Sequence, residues 1–238
     1  MAVVLGARNL GGAIIDHLQE NGWRGAAIAQ SEDTVAAVRE RGALGIAADA
    51  SDPGALVSAL AQVRDELGRP TLVVNAVSAS RPPDDGKGFG GGSIEQATLD
   101  GFRGWTVAVA EQTFVFLSTG IRALRESGAG GTLIQVTGGS ARRAMPGRGL
   151  WSAGAQAARA MTHAAAQEVR EDGIHVALLI VDATIESPKT ADYTRDAPKD
   201  SLADMSLIAE AVEYLASQQP RAYTHELMLT PAGDRWVP

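Results

Sequence analysis

We consider four side chains as candidates to act directly on a substrate: Thr137, Ser140, Trp151 and Glu111. The hydroxyl groups of Thr137 and Ser140 can donate a hydrogen bond to a substrate oxygen. The indole N–H of Trp151 can also donate a hydrogen bond, but it cannot serve as an acid or a base. In this set only the carboxyl group of Glu111 is of a type that transfers protons.

The role of Glu111 depends on whether its side chain is buried. Burial would raise the pKa of the carboxyl group, because the charged form loses its hydration, and Glu111 could then act as an acid. Most carboxylates instead lie at the surface or pair at a subunit interface, and we favour that position for Glu111.

A cluster of glycines follows the first apolar run of the chain. The stretch Gly6-Ala7-Arg8-Asn9-Leu10-Gly11-Gly12 comes directly after Val3-Val4-Leu5. Glycine in such a turn lets the backbone approach a pyrophosphate, and the N-terminus of the following helix attracts the anion. The cluster therefore indicates a dinucleotide site, although glycines alone are a weak signal.

Composition and charge disfavour several classes of function. The 238 residues carry a formal net charge of -7, which disfavours nucleic acid or an anionic membrane as the main partner. The chain has no cysteine, which excludes thiolate chemistry and cysteine-ligated metal, and we predict no metal site. The first residues resemble neither a signal peptide nor a membrane span, so we expect a cytoplasmic protein.

Short apolar runs alternate with longer helical patterns. The strand candidates are Ala2–Leu5, Gly25–Ala29, Leu44–Ala48, Thr71–Asn75, Thr132–Thr137, His175–Val181 and Glu226–Thr230. The helix candidates lie near 11–21, 32–41, 53–67, 95–126, 151–171 and 203–217. Apolar strands without alternation suit a sheet covered on both faces. The order predicts a single α/β domain over residues 1–238, a Rossmann-type doubly wound fold with a mainly parallel seven-stranded sheet and helices on both faces.

Two segments interrupt this alternation. Residues 78–93 are rich in glycine, and residues 187–201 contain two prolines and several charges. In a doubly wound fold both loops leave the carboxyl ends of strands, where ligands bind. The first loop is either an idle insertion or a lid over the substrate, and the second is expected on the substrate side.

The stretch from Leu150 to Thr162 resembles the active-site helix of the short-chain dehydrogenase/reductase family, which reads close to Y-S-A-S-K-A-A-L-R-A-L-T. Trp151 stands at the position of the family's tyrosine and Ala155 at that of its lysine. Further segments resemble sequence motifs of the family, in the same order along the chain. They are Ala48–Ala50, Val73–Val77, Gly104–Ala108, Gln135–Ser140, Gly173–Val176 and Ile208–Ser217. The resemblance covers essentially the whole chain.

The resemblance implies a catalytic tetrad of Asn, Ser, Tyr and Lys, and all four positions differ here. Ala108 takes the place of the asparagine and Gly138 that of the serine, beside Trp151 and Ala155. Together, the four changes predict that the usual carbonyl–alcohol redox step is lost or altered. The indole of Trp151 either fills the cavity left by the tyrosine and the lysine or forms an aromatic wall for a flat ligand.

The resemblance also implies a nicotinamide dinucleotide cofactor. The residues expected to bind it are Gly6, Arg8, Asn9, Leu10, Gly11, Gly12, Gln30, Ser31, Asp49, Ala50, Asn75, Ala76, Val77, Val107, Asp182 and Ile185. Leu10 departs from the family's glycine spacing, and Asp182 stands where the family commonly has a proline. No acidic residue follows the second strand to hold the ribose of NAD, and Arg8 lies nearby, so we favour NADP over NAD.

Three functions are consistent with these features. The first is an oxidoreductase that binds NAD(P) and has atypical or residual redox activity on an unidentified small molecule. The second is a non-catalytic nucleotide-binding protein, either a sensor or a partner subunit. The third is a cyclase or lyase that reuses the pocket with Glu111 or Asp182 as acid. The resemblance further implies a homodimer or homotetramer built on the helices near 95–126 and 151–171 and on the last strand.

Overall fold

Seven parallel strands form one sheet at the centre of the molecule. The structure is a computed structural model and describes residues 1–77, 89–128 and 130–233. The strands of the sheet are β1 (Ala2–Leu5), β2 (Gly25–Ala29), β3 (Leu44–Ala47), β4 (Leu72–Asn75), β5 (Gly131–Gly138), β6 (Ile174–Val181) and, after a separate pair described below, β9 (Glu226–Leu229). Their spatial order is β3-β2-β1-β4-β5-β6-β9, and every neighbouring pair is parallel. The predicted doubly wound fold is therefore confirmed.

Helices cover both faces of the sheet. They are α1 (Leu10–Glu20), α2 (Glu32–Glu40), α3 (Pro53–Leu67), α4 (Leu99–Phe102), α5 (Ala108–Ser127), α6 (Gly149–Glu168), α7 (Ala191–Thr194) and α8 (Met205–Ala216). Side chains of α3, α5 and α6 form one apolar cluster with alternate residues of the strands, such as Val3. Side chains of α1, α2 and α8 form a second cluster with the intervening strand residues, such as Val4. Because both faces are buried, the strands show no polar alternation.

The helix predicted near 95–126 is interrupted. A π-helical segment, Arg103–Val107, joins α4 to α5. Next to it, Gly154 of α6 packs so closely that an added Cβ would lie 2.6 Å from the carbonyl oxygen of Trp105. Such π-helical insertions often occur at functional sites. The apolar stretch from Leu99 to Ser127 is long enough to cross a membrane, but 56% of its apolar window is buried inside the protein, as expected for a core helix.

The structure describes only part of the two segments that interrupt the alternation of strands and helices. Of the glycine-rich loop at 78–93, residues 78–88 lie outside the described part, and only its end from Phe89 is described. The substrate-side segment contains more regular structure than predicted, because α7 lies within it. Two short strands, β7 (Thr184–Ile185) and β8 (Leu202–Ala203), pair in parallel at its ends. This second small sheet fixes both ends of the segment.

Candidate functional site

The glycine turn after β1 is tightly packed. Gly6 adopts a φ of +81°, a left-handed conformation that favours glycine, and an added Cβ would lie 2.9 Å from the Cα of Val77. Gly11 lies in the first turn of α1, where an added Cβ would be 2.1 Å from the carbonyl oxygen of Gly6. The turn thus brings the predicted residues Gly6, Gly11 and Val77 together at the N-terminus of α1.

Leu10 does not obstruct this turn. It is the first residue of α1, and its half-buried side chain packs against the apolar cluster on that face of the sheet. Asn9 precedes the helix, and its side chain makes no capping hydrogen bond. The backbone N–H groups at the start of α1 therefore belong to an 11-residue helix whose first turn carries no acidic residue, an arrangement that favours an anion.

A depression of about 340 Å³ lies beside the glycine turn, at the carboxyl ends of β1 and β2. Two predicted residues, Arg8 and Ser31, line it together with Arg41, which the sequence analysis missed. Arg41 is held in place, since its Nη1 donates to Oδ2 of Asp16 at 2.9 Å and its Nε donates to the carbonyl oxygen of Ala37 at 3.0 Å. The depression therefore carries two guanidinium groups and one carboxylate, that of Asp33.

Asp49 lies at the far end of the same edge, after β3. Its Oδ1 accepts hydrogen bonds from the backbone N–H of Ser51 at 2.8 Å and from the Ser51 hydroxyl at 2.6 Å. The Ser51 hydroxyl is the main cause that lowers the pKa of Asp49, and Gln30 makes a smaller contribution. Two predicted cofactor residues, Gln30 and Asp49, are thus neighbours in space, and Ala50 is buried beside them.

Three buried amide side chains fix the end of β4. Nδ2 of Asn75 donates to Oε1 of Gln112 at 2.9 Å and to Oε1 of Gln135 at 2.7 Å, and Gln112 donates back to Asn75 at 3.0 Å. Oδ1 of Asn75 also accepts the backbone N–H of Val77 at 3.2 Å. The network ties the Asn75-Ala76-Val77 segment, which packs on Gly6, to α5 and β5. The sequence analysis did not identify Gln112 and Gln135 as site residues, because a single polar residue in an apolar segment forms no recognisable motif.

The indole of Trp151 lies over the end of β5. A Cβ added at Gly138 would lie 3.7 Å from Cζ2 and 3.8 Å from Nε1 of Trp151, which is ordinary contact. Edge-to-face contacts join Trp151 to Phe89 and Trp105, with ring centroids 5.7 Å and 6.2 Å away. Trp105 and Phe89 also meet edge to face, at 5.0 Å. The indole therefore lies between α6, the π-helical segment and the end of the glycine-rich loop, and Trp151 is a partly exposed residue.

Small residues stand at the positions that correspond to the lysine and the asparagine of the family's tetrad. Ala155 is fully buried one turn after Trp151 on α6, and Ala108 is the first residue of α5. Thr106 donates its hydroxyl to the carbonyl oxygen of Leu150 at 2.8 Å, which locks the π-helical segment to the start of α6. The tyrosines lie elsewhere, because Tyr193 and Tyr214 are exposed on α7 and α8 and Tyr223 stacks on His175.

A buried ion pair lies on the other side of the β5 end. Asp182 follows β6 and is only 7% exposed. Its Oδ2 lies 3.2 Å from Nη2 of Arg143, a partly buried residue that the sequence analysis also missed. The carboxylate packs directly on Gly139, where an added Cβ would lie 1.7 Å from Oδ1 of Asp182.

The remaining candidates are spread around this edge. Thr137 is half-buried near the end of β5, and Ser140 is buried in the turn that follows it. Val107 ends the π-helical segment, and Ile185 is half-buried in β7. The inward position considered for Glu111 is wrong, because Glu111 is exposed and its neighbour Gln112 occupies the buried face of α5.

A second depression, of about 520 Å³, lies in the substrate-side segment. It is lined by Glu186, Ser187, Pro188, Ala191, Thr194, Arg195, Lys199 and Met205. Lys199 forms an ion pair with Glu186 across its wall. Both depressions therefore lie beyond the carboxyl ends of strands, where doubly wound proteins bind their ligands.

Comparisons with known proteins agree with the fold described above. A family profile described as enoyl-(acyl carrier protein) reductase matches residues 4–233. The alcohol dehydrogenase of the archaeon Thermococcus sibiricus, solved with 5-hydroxy-NADP, is 22% identical, with a TM-score of 0.79 and coverage of 100% of this chain and 98% of that chain. No curated protein sequence matches the chain.

Two further solved structures have the same fold. Sorbitol-6-phosphate 2-dehydrogenase from Erwinia amylovora is 19% identical, with a TM-score of 0.81 and coverage of 99% of this chain and 100% of that chain. The 3-ketoacyl-(acyl-carrier-protein) reductase from Brucella melitensis, solved with NADH, is 20% identical, with a TM-score of 0.80 and coverage of 97% and 96%.

Proposed function

The chain belongs to the short-chain dehydrogenase/reductase family, and on that premise we propose that it binds a nicotinamide dinucleotide and performs atypical or residual redox chemistry on a small molecule. The observation that supports cofactor binding is the tight glycine turn, where Gly6 and Gly11 let the end of β1 pack closely on Val77 and on the start of α1. A turn of this kind at a helix N-terminus is the usual pyrophosphate site of a dinucleotide-binding fold. Structural neighbours solved with 5-hydroxy-NADP and NADH support the same class of cofactor.

The residues present fit the adenosine half of such a dinucleotide at the ends of β1, β2 and β3. Arg8, Arg41 and Ser31 surround a depression next to the turn, and Asp49 lies beyond it with Gln30. A phosphate on the adenosine ribose would meet two guanidinium groups in that depression, and guanidinium forms strong, charge-assisted hydrogen bonds with phosphate. This supports NADP as the preferred cofactor.

The chemistry proposed for the site follows from what its side chains can exchange. A bound nicotinamide supplies or accepts the hydride. Trp151 occupies the position of the proton-transferring tyrosine, and its N–H can hold a substrate oxygen but keeps its proton. Gly138 and Ala155 offer no hydroxyl or ammonium group in support. The proton on the substrate oxygen must then come from water or from a carboxyl group, which slows turnover.

A non-catalytic role as a nucleotide sensor or partner subunit is the second candidate. It is favoured by the packing of Trp151 against Gly138, Trp105 and Phe89, which fills space that a substrate would need. A cyclase or lyase is a weaker proposal, since the exposed Glu111 offers no buried acid and only Asp182 remains for that role.

Calorimetric titration with NADP+, NADPH, NAD+ and NADH tests the cofactor proposal. We expect micromolar binding of the phosphorylated pair and weaker binding of NAD+ and NADH. The variant Arg41→Ala should weaken NADPH binding about tenfold through loss of a charge-assisted hydrogen bond and leave NADH binding unchanged. Absence of binding by all four cofactors would overturn the proposal, and equal losses for NADPH and NADH would overturn the assignment of Arg41 to the phosphate.

Turnover separates the two main candidates. A protein with residual redox activity transfers deuterium from deuterated NADPH to at least one member of a panel of aldehydes and ketones. A sensor or partner subunit binds the cofactor and transfers none, even at saturating concentrations of both.

A further inference from the structure

Asp182 is the only carboxylate among the buried residues of the described part of the chain. Placing a charge at 7% exposure costs free energy unless the charge is paired, and Arg143 provides the pairing at 3.2 Å. Gly139 makes room for the carboxylate, since any larger side chain there would overlap it. Two features therefore accommodate the carboxylate at the end of β6: the ion pair with Arg143 and the space left by Gly139.

The position of Asp182 in the fold indicates which half of a bound dinucleotide would lie nearest to its carboxylate. A doubly wound sheet binds a dinucleotide across two halves, one on each side of the switch between β1 and β4. The glycine turn and the depression with Arg8 and Arg41 belong to the β1–β3 half, which leaves the β4–β6 half for the nicotinamide. Asp182 lies at the carboxyl edge of that second half, between the ends of β5 and β6.

The two redox forms of the cofactor differ in charge at the nicotinamide. The oxidised ring carries a positive charge and the reduced ring is neutral, so a nearby carboxylate attracts only the oxidised form. We propose that Asp182 makes this site selective for the oxidised cofactor. The inference rests on the proposed function, because it needs the dinucleotide to bind.

Arg143 sets how strong this selectivity is. The guanidinium acts against the carboxylate on the same ring, but its side chain is 22% exposed while that of Asp182 is 9% exposed. Solvent therefore screens the guanidinium more than the carboxylate, and on this ground we expect the carboxylate to have the larger effect on the ring. Neutralising either partner must shift the selectivity, and the two shifts must have opposite signs.

The test compares the ratio of dissociation constants for NADPH and NADP+, measured by calorimetry without any substrate. The wild-type protein should bind NADP+ more tightly. Asp182→Asn, which keeps the shape of the side chain, should lower the ratio about three- to tenfold, the size of effect expected for one partly screened charge. Arg143→Gln should raise the ratio, and Asp182→Asn with Arg143→Gln should fall between the single variants.

A distant pair provides the control. Asp172 pairs with Arg125 at 2.7 Å near the opposite, amino end of β6, so Asp172→Asn should leave the ratio unchanged. If Arg143→Gln fails to fold, the ratios measured for Asp182→Asn and for the double variant still test the inference. A ratio in Asp182→Asn that stays within twofold of the wild-type ratio, or that rises, overturns the inference alone. If the wild-type protein binds neither redox form, nor NAD+ and NADH, the proposed function fails and the inference fails with it.

Discussion

Gly138 and Gly139 are neighbours in the chain but are glycines for different reasons. Gly138 has an extended backbone with φ −104°, and a side chain there would meet only ordinary contacts with Trp151. Gly139 lies under the Asp182 carboxylate, at a distance no real Cβ tolerates. The first position is therefore open to a serine, whereas the second must stay glycine as long as Asp182 is in place.

This difference predicts unequal costs for the same substitution. Gly139→Ala should lower the free energy of unfolding by about 1–3 kcal/mol, because the carboxylate must leave its place beside Arg143. Gly138→Ala is the matched control and should change it by less than about 0.5 kcal/mol. Urea unfolding of both variants measures the two values. Equal costs would show that Asp182 does not pack where the structure places it.

Part of the candidate site could be proposed from the sequence, and the rest was missed for a physical reason. The Trp151 and Ala155 positions came from the resemblance to a family motif, and the glycine turn came from a short local pattern. Arg41 is held beside the depression by Ala37 and by Asp16, which lies on the neighbouring helix α1. Such contacts depend on how helices and strands pack together, and they cannot be predicted from a single arginine at the end of a helix.

At the scale of elements, the seam between β6 and β9 is closed by histidines. Nε2 of His175 on β6 bonds to the carbonyl oxygen of Thr224 at 2.9 Å, and Nδ1 of His225 bonds to the carbonyl oxygen of Val176 at 2.9 Å. Tyr223 stacks on His175 with ring centroids 4.2 Å apart. Burial lowers the pKa of His175, with a smaller contribution from His225.

The lowered pKa of His175 predicts a stability that depends on pH. Above the ordinary histidine pKa of about 6.5 the imidazole of His175 is neutral in both the folded and the unfolded chain. Its contribution to the free energy of unfolding is then fully present. As the pH falls through that value the unfolded chain binds the proton first, so stability is lost until the folded pKa is passed. Urea unfolding at about pH 7.5 and 5.5 should show a smaller loss for His175→Gln than for the wild-type protein. An equal loss in both would contradict this.

The amide network between β4, β5 and α5 predicts a second element-scale effect. Gln112→Leu should cost about 1–3 kcal/mol of unfolding free energy, because the buried Asn75 amide loses partners in both directions. The adjacent Glu111→Gln is exposed and should cost less than about 0.5 kcal/mol. Chemical denaturation of the two variants measures both values. A loss of unfolding free energy for Gln112→Leu as small as that for Glu111→Gln would argue against a structural role for the network.

Element order could be predicted almost completely, since apolar runs and helix periods are local. Each sheet strand lies within one residue of its predicted bounds. The π-helical segment was not predicted, because five residues of altered helix have no distinct hydrophobic period, and its close contact with Gly154 joins residues that are far apart in the chain. The short β7–β8 pair was missed because two-residue strands have no period to detect.

At the scale of the whole molecule, we propose a homodimer or homotetramer that uses the outer surfaces of α5 and α6. Phe114 on α5 is 60% exposed, and the small residues Ala153, Ala160 and Ala164 are exposed on the adjacent α6. Sedimentation velocity should show an oligomer for the wild-type protein and a smaller species for Phe114→Asp. Val57→Asp places the same charge on the exposed surface of α3 and should leave the oligomer intact. A monomeric wild-type protein, or an unchanged mass for Phe114→Asp, would contradict the proposal.

The central claim is that a dinucleotide-binding site retains its cofactor surface while an indole replaces the proton-transferring group. Deuterium transfer from deuterated NADPH to a carbonyl panel, compared between the wild-type protein and Trp151→Tyr with Ala155→Lys, tests it most directly. The smaller phenol leaves room for the lysine, and restored acid catalysis should raise the rate at least about tenfold with NADPH binding unchanged. No gain in a folded, cofactor-binding double variant, or a wild-type rate that already equals it, would contradict the claim.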